Sequence, residues 1–216
     1  MKKNDFLENT DYSQTSNISI WGTGDKDTLE LLDKIEIRGK WLNLAAGDGR
    51  YNLKLLEKAD SVVASDINEG ALAKLSRTTP EQYKAKLHTK AFDLTKRFPF
   101  EDGAFDGVFC AGTLHFFSKE ILEGIFAEIG RVLKPRGKVM IDFATDVRRI
   151  FPDGSIWVKK GEPGYKQEEA AKFLEESFRN YKIEARRSKV DGDDVTINSH
   201  TYTFSCNYIL IVGEKK

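Results

Sequence analysis

The chain has 216 residues, 40% of them hydrophobic, and 34 acidic side chains balanced by 34 Lys and Arg, so it is long enough for one sizeable core and has no net charge. Neutrality argues against a nucleic-acid partner; the longest apolar runs, such as residues 208–212, are too short to cross a bilayer, and residues 1–10 lack the apolar centre of a signal peptide, so a cytoplasmic protein with no membrane partner is expected. Cys110 and Cys206 sit in apolar strand-like segments with no second Cys or His at ligand spacing, which excludes a structural metal and predicts reduced core thiols.

Residues 1–24 are polar, with scattered Phe6, Tyr12 and Trp21, and read as a loosely ordered arm ahead of a domain over residues 25–216. Leu29, Leu32 and Ile35 recur at helical spacing, and Gly39 ends that segment. An apolar run (Trp41, Leu42, Leu44, Ala45) then meets Gly47 and Gly49, followed by Leu53 and Leu56 at helical spacing. This predicts strand, tight turn and helix, with the helix starting near Gly49 and its free amides facing a nucleotide-like ligand. A dinucleotide fingerprint requires a third glycine where Asn52 stands, which disfavours a nicotinamide-dependent oxidoreductase.

Residues 61–67 form a β-rich run ending in Asp66 and Ile67, then Leu72 and Leu75 mark a helix, completing a β-α-β unit. Asp66 lies about twenty residues beyond the glycine turn, where a carboxylate accepts both ribose hydroxyls; the competing role is to cap the next helix. A third strand follows Leu87 and ends near Asp93 and Leu94, and residues 104–112 supply a fourth ending at Cys110 and Ala111. Asp106, at the start of that strand, is structural by position. His115 follows in a loop, residues 119–133 carry the apolar stripe of a helix, and residues 138–144 read as a fifth strand. Residues 151–165 read as a loop, hairpin-like around 155–158, and with Arg148, Arg149, Lys159 and Lys160 its basic character fits either an anionic substrate or solvated surface charge. Residues 166–179 form the last helix, and the runs 181–190 and 200–212, separated by Asp191-Gly192-Asp193-Asp194, predict a closing antiparallel pair.

The order of these segments, with Asn43-x-Ala45-Ala46-Gly47-x-Gly49, the Phe98-Pro99-Phe100 to Asp106 stretch and Lys134-Pro135-x-Gly137, resembles the class I S-adenosylmethionine-dependent methyltransferases of the small-molecule type over residues 29–213. The resemblance implies a doubly wound α/β fold: a seven-stranded, mostly parallel sheet of order 3-2-1-4-5-7-6 with strand 7 antiparallel. It implies S-adenosyl-L-methionine as cofactor, held by Asn43, Ala45, Ala46, Gly47, Gly49, Asp66, Ile67, Asp93, Leu94, Cys110 and Ala111. It also implies a small-molecule methyl acceptor and an arm that folds over the cofactor.

The chain departs from the family twice, with Asn43 for a carboxylate and Ala45 for a glycine, so an Asn43→Asp change is expected to tighten cofactor binding. His115 matches a loop histidine of the family and is the candidate catalytic base; the alternative is a histidine packed over the cofactor. Cys110 as a nucleophile lacks the Pro-Cys pair of pyrimidine carbon methylation, and no Asn-Pro-Pro-Tyr element is present for nucleobases. RNA or protein methylation is therefore the weaker alternative, and a non-catalytic cofactor-binding module is the other. The acceptor and the oligomeric state are open at this level.

Overall fold

Segments of five or six residues are long enough to cross a sheet once, and four of them build its parallel part together with the start of the fifth strand: the buried β1 (Lys40–Leu44), β2 (Ser61–Asp66) and β4 (Phe105–Cys110), and the largely exposed edge strand β3 (Leu87–Ala91). A computed structural model describes residues 10–197 and 200–216 and places these strands in one seven-stranded sheet with β5 (Leu133–Ile150), β6 (Tyr181–Ile197) and β7 (His200–Lys215), in the order β3-β2-β1-β4-β5-β7-β6. Strands β3 to β5 are parallel, and β7 runs antiparallel to both β5 and β6. This is the expected topology.

Alternation along each strand sends side chains to two cores. Leu42, Leu44, Val108 and Ile141 face the core covered by α5 (Lys119–Val132) and α6 (Gln167–Ser177), while Trp41, Phe109 and Met140 face the one covered by α1 (Lys26–Lys34) and α2 (Asn52–Lys58). Ala64, Leu72 and Leu75 pack α3 (Glu69–Thr78) against β2, and the single turn α4 (Glu81–Lys84) follows it. Gly107 is required here, because a Cβ at that position would lie 2.2 Å from the Trp41 indole. Asp106 accepts the Lys40 amide at 2.8 Å and pairs with Lys134 at 2.7 Å, a structural role in keeping with its position at the start of the strand.

Three boundaries differ from expectation. The helix after the glycine turn begins at Asn52 rather than near Gly49, because Gly49 has φ +99° and a left-handed residue cannot enter a right-handed helix. Strand β5 continues to Ile150 because β7 pairs with it beyond the parallel strands, as far as Ile150 opposite Thr203. Residues 191–194 are not the turn of the closing hairpin: β6 runs on to Ile197, and Gly192, at φ +89°, absorbs one extra residue as a bulge between Asp191 opposite Ser205 and Asp193 opposite Phe204. Together β5, β7 and β6 form an antiparallel lip standing above the carboxyl edge of the parallel strands.

Candidate functional site

Parallel strands end at one edge, and the loops that leave them there surround whatever binds. The turn after β1 carries three residues in the left-handed region, Ala45 (φ +49°), Gly47 (φ +54°) and Gly49 (φ +99°). Glycine takes that conformation freely, whereas Ala45 holds it at a cost of about 1–2 kcal/mol. Asp66, at the end of β2, accepts the Gly47 amide through Oδ2 at 2.8 Å and the Asn68 amide through Oδ1 at 2.9 Å. The capping role falls to Asn68, whose Oδ1 accepts the Ala71 amide at the start of α3. Asp66 is thus free of capping, and each of its oxygens keeps a lone pair for a further donor.

Ile67 beside it is 72% exposed, an apolar side chain left uncovered at the sheet edge. Leu94 is half-buried near the end of β3. Asp93 is a turn former: Oδ1 accepts both the amide and the hydroxyl of Thr95, and those bonds, the hydroxyl's first, hold its carboxyl below the usual range. Cys110 is fully buried in the α5/α6 core, and burial pushes its thiol well up, which makes it a poor nucleophile at neutral pH. Ala46 and Ala111 are half-buried at the ends of β1 and β4.

Asn43 is 3% exposed, and its Nδ2 donates to Asn52 Oδ1 at 3.1 Å. It therefore belongs to the turn's internal bonding. A carboxylate there would be buried with only the Asn52 amide to face it, whose Nδ2 has no partner among the described residues, so a cost in stability stands against the expected tightening by Asn43→Asp.

Two buried ion pairs flank this edge. Lys74 and Asp48, both fully buried, meet at 2.7 Å, and both also bind the arm: Lys74 Nζ donates to Ile18 O at 2.8 Å, while Asp48 accepts Ser19 Oγ at 2.5 Å and the Ile20 amide at 2.8 Å. The pair ties residues 18–20 to the glycine turn. Trp21 consequently stands over Gly47, its Nε1 3.7 Å from where a Cβ would project. Tyr12 is buried, and burial, with Asp48 and Asp66 nearby, pushes its hydroxyl up to about 12. Residues 10–24 are therefore folded over the turn rather than loosely ordered.

On the lip, Arg149 and Glu162 form a bidentate pair (2.7 and 3.1 Å), and Arg149 stacks on Trp157 at 4.9 Å. Arg149 is 5% exposed, so it is neither a solvated charge nor an anion site in waiting. Trp157, Tyr202 and Ile197 form a small core with Ile20 of the arm and Phe204, and an Ile150–Ile156 bridge makes the loop hairpin-like as expected. His115 lies beneath this roof, 5% exposed, packed on Phe116 at 4.0 Å with Nε2 3.9 Å from Glu162. Burial first, then Arg149 and Lys159, lower its pKa to about 3, so the imidazole is neutral and a weak base. Its Nδ1 has no partner among the described residues.

Sequence reasoning missed Asp142, on β5. It is 2% exposed and accepts the Gly112 amide at 2.6 Å, and burial pushes its carboxyl up to about 7. The signal was a lone acid inside the apolar run Val139-Met140-Ile141-Asp142-Phe143. A cavity of about 720 Å³ lies between α5 and α6, lined by Phe126, Phe173 and Tyr181 among others, and none of these groups lines it.

Comparison with known proteins bears on this geometry. Residues 42–137 match the family described as "Methyltransferase domain". That segment resembles a methyltransferase domain. The chain is 36% identical over 109 residues to a demethylmenaquinone methyltransferase of Clavibacter sepedonicus, covering 48% of this chain and 41% of that protein. It spans less than half the length of the curated relatives it matches. Among solved structures, protein PH0226 of Pyrococcus horikoshii superposes with a TM-score of 0.64 at 22% identity, over 95% of this chain and 98% of that one. A complex of DhpI with SAH gives 0.59 at 23%, over 87% and 82%. The matched segment thus sits in a fold that other chains share from end to end, and it contains the glycine turn, Asp66, Asp93 and His115.

Proposed function

We propose that this chain transfers a methyl group from S-adenosyl-L-methionine to a small-molecule acceptor. The observation that carries the reading is the pairing of the left-handed turn 45–49 with Asp66, whose carboxylate buttresses the Gly47 amide while retaining acceptor capacity for a ribose diol. A Cβ at Gly49 would come within 3.0 Å of Leu75, so the turn has the closeness to α3 that a backbone cradle requires. In this reading Asn43, Ala45, Ala46, Gly47 and Gly49 shape the cradle, and Asp66 holds the ribose. Ile67 and Leu94 would line the adenine, and Asp93 would accept from its amine through the unused Oδ2. Cys110 and Ala111 contribute their main chain at the end of β4, the Cys110 thiol being turned into the core.

When bound, the cofactor supplies an electrophilic methyl group on a sulfonium; transfer then depends chiefly on alignment and exclusion of water. The arm and the aromatic roof supply the exclusion. His115, neutral and with Nδ1 unpaired, aligns a hydroxyl or amine by accepting its hydrogen rather than acting as a strong base. A small acceptor suits a roof of Phe116, Trp157, Tyr202 and Phe204 whose Arg149 is already neutralised, and the similarity to a demethylmenaquinone methyltransferase points the same way. The free, buried Cys110 and Cys206 suit a reducing cytoplasm.

Calorimetric titration with S-adenosylmethionine, S-adenosylhomocysteine and NAD tests the reading. Binding of the first two alone supports it; binding of NAD alone overturns it. Ala45 strained in place of glycine favours a second reading, a binding module without turnover, which predicts cofactor binding with no methyl transfer to any small nucleophile.

A further inference from the structure

The cofactor's amino-acid end carries an ammonium and a carboxylate, and the family's usual acid for that end is replaced here by Asn43, whose amide is already bonded to Asn52. Two other groups at the same edge have unused bonding capacity. Asp142 is 2% exposed and accepts the Gly112 amide through Oδ1; Oδ2 has no hydrogen-bond partner among the described residues. Arg50, one residue past the glycine turn, pairs through Nη2 with Asp25 at 3.2 Å, and its Nε is buried with no partner among the described residues.

Strand register relates the two sites. Asn43 lies opposite Phe109 of β4, which lies opposite Met140 of β5; Asp142 is two residues further toward the carboxyl edge on the same face. It is therefore about 10 Å sideways from Asn43 and one side-chain layer nearer the ligand. The other ionisable groups facing Asp142 are Asp25 from the start of α1, Arg50 and Tyr51 from the turn, Tyr208 and Cys206 from β7, and Cys110 from β4. Asp25 is committed to Arg50 and to the Tyr51 hydroxyl at 2.6 Å, which leaves Asp142 as the carboxyl of this group without a cation of its own.

We propose that Asp142 and Arg50 together read the zwitterionic amino-acid end of the cofactor, Asp142 taking the ammonium and the Arg50 Nε the carboxylate, in place of an acid at position 43. This rests on the methyltransferase reading above. It makes Asp142 a specificity-determining residue that distinguishes complete adenosyl amino acids from adenosyl fragments.

The test compares S-adenosylhomocysteine, which carries both charges, with 5′-methylthioadenosine, which carries neither, by calorimetry on wild type and on the isosteric Asp142→Asn. Asp142→Asn is expected to weaken S-adenosylhomocysteine tenfold or more and to leave 5′-methylthioadenosine within twofold. Wild-type affinity for S-adenosylhomocysteine should also rise with pH across the Asp142 titration, and the variant's should not. Equal loss for both ligands, or no loss for either, overturns the assignment. Should Asp142→Asn fail to fold, the wild-type pH series still decides: a pH-independent affinity overturns it. A wild type that binds neither ligand overturns the methyltransferase reading itself.

Discussion

The two halves of the site are built by different means. In the proposed function the groups around β1, β2 and β3 that face the ligand are backbone amides, the carboxylates of Asp66 and Asp93 and the side chains of Ile67 and Leu94, placed by left-handed turns and strand ends. On the β5–β7 lip, surfaces come from side chains: Trp157, Tyr202, Phe204 and the buried Arg149–Glu162 pair. The first half tolerates little variation in chain geometry but much in side chains. The second is open to redesign, and under the proposed function the choice of acceptor would reside there. The arm joins the halves, since Ser19 and Ile20 bind Asp48 while Ile20 also packs with Trp157.

Lys74→Met should have the largest effect. It strands Asp48 as a buried unpaired charge and frees residues 18–20, costing about 3–5 kcal/mol in chemical denaturation and exposing the arm to proteolysis. Retained stability would mean that packing and the Asp48 bonds to Ser19 and Ile20 hold the arm without the pair. Glu162→Gln sharpens the division between halves: Arg149 loses its charge partner, and a similar loss of about 3 kcal/mol is expected with cofactor affinity unchanged within twofold. A matching loss of cofactor affinity would show that the halves are coupled.

How far this division could be read in advance follows from the same difference. Glycines at 47 and 49 and an acid at 66 leave a sequence signature because the backbone conformations they permit are scarce elsewhere. The strands and helices followed from apolar periodicity, whereas the sheet order was implied only by the family resemblance. The Asp48–Lys74 latch left no such mark: Lys74 lies on a helix between Leu72 and Leu75, and only the folded arm reveals that it is buried. Arg149 read as surface or substrate charge because its neutraliser, Glu162, arrives from a loop thirteen residues on. The Asp191–Asp194 stretch carries turn residues, yet β7 supplies partners beyond it, so pairing prevailed over local preference.

A smaller effect concerns Asp142. Burial raises its pKa in the fold to about 7, well above the usual carboxylate range, so the unfolded chain gives up its proton first. This group's contribution to stability therefore falls as pH rises from about 4 to 7 and is flat above. Asp142→Asn should remove that slope and stabilise the unliganded protein at pH 8 by at most about 4 kcal/mol, with little change at pH 4, as thermal melts at both values will show. A wild-type melting profile without this decline would mean that Asp142 has a counter-ion in the unliganded fold.

The smallest change expected is Ala45→Gly. Relief of the left-handed Ala outweighs the added flexibility of glycine in the unfolded chain, for a net gain of about 0.5–1 kcal/mol. A loss of stability would indicate that the Ala45 methyl packs usefully.

The claim that the glycine turn and Asp66 form the cofactor cradle is tested most directly by titrating S-adenosylhomocysteine into wild type and into Asp66→Ala under one set of conditions, with melting curves as the folding control. The account predicts measurable wild-type binding, weakened by about 1.5–3 kcal/mol in a folded Asp66→Ala. Equal affinities in two folded proteins would contradict it.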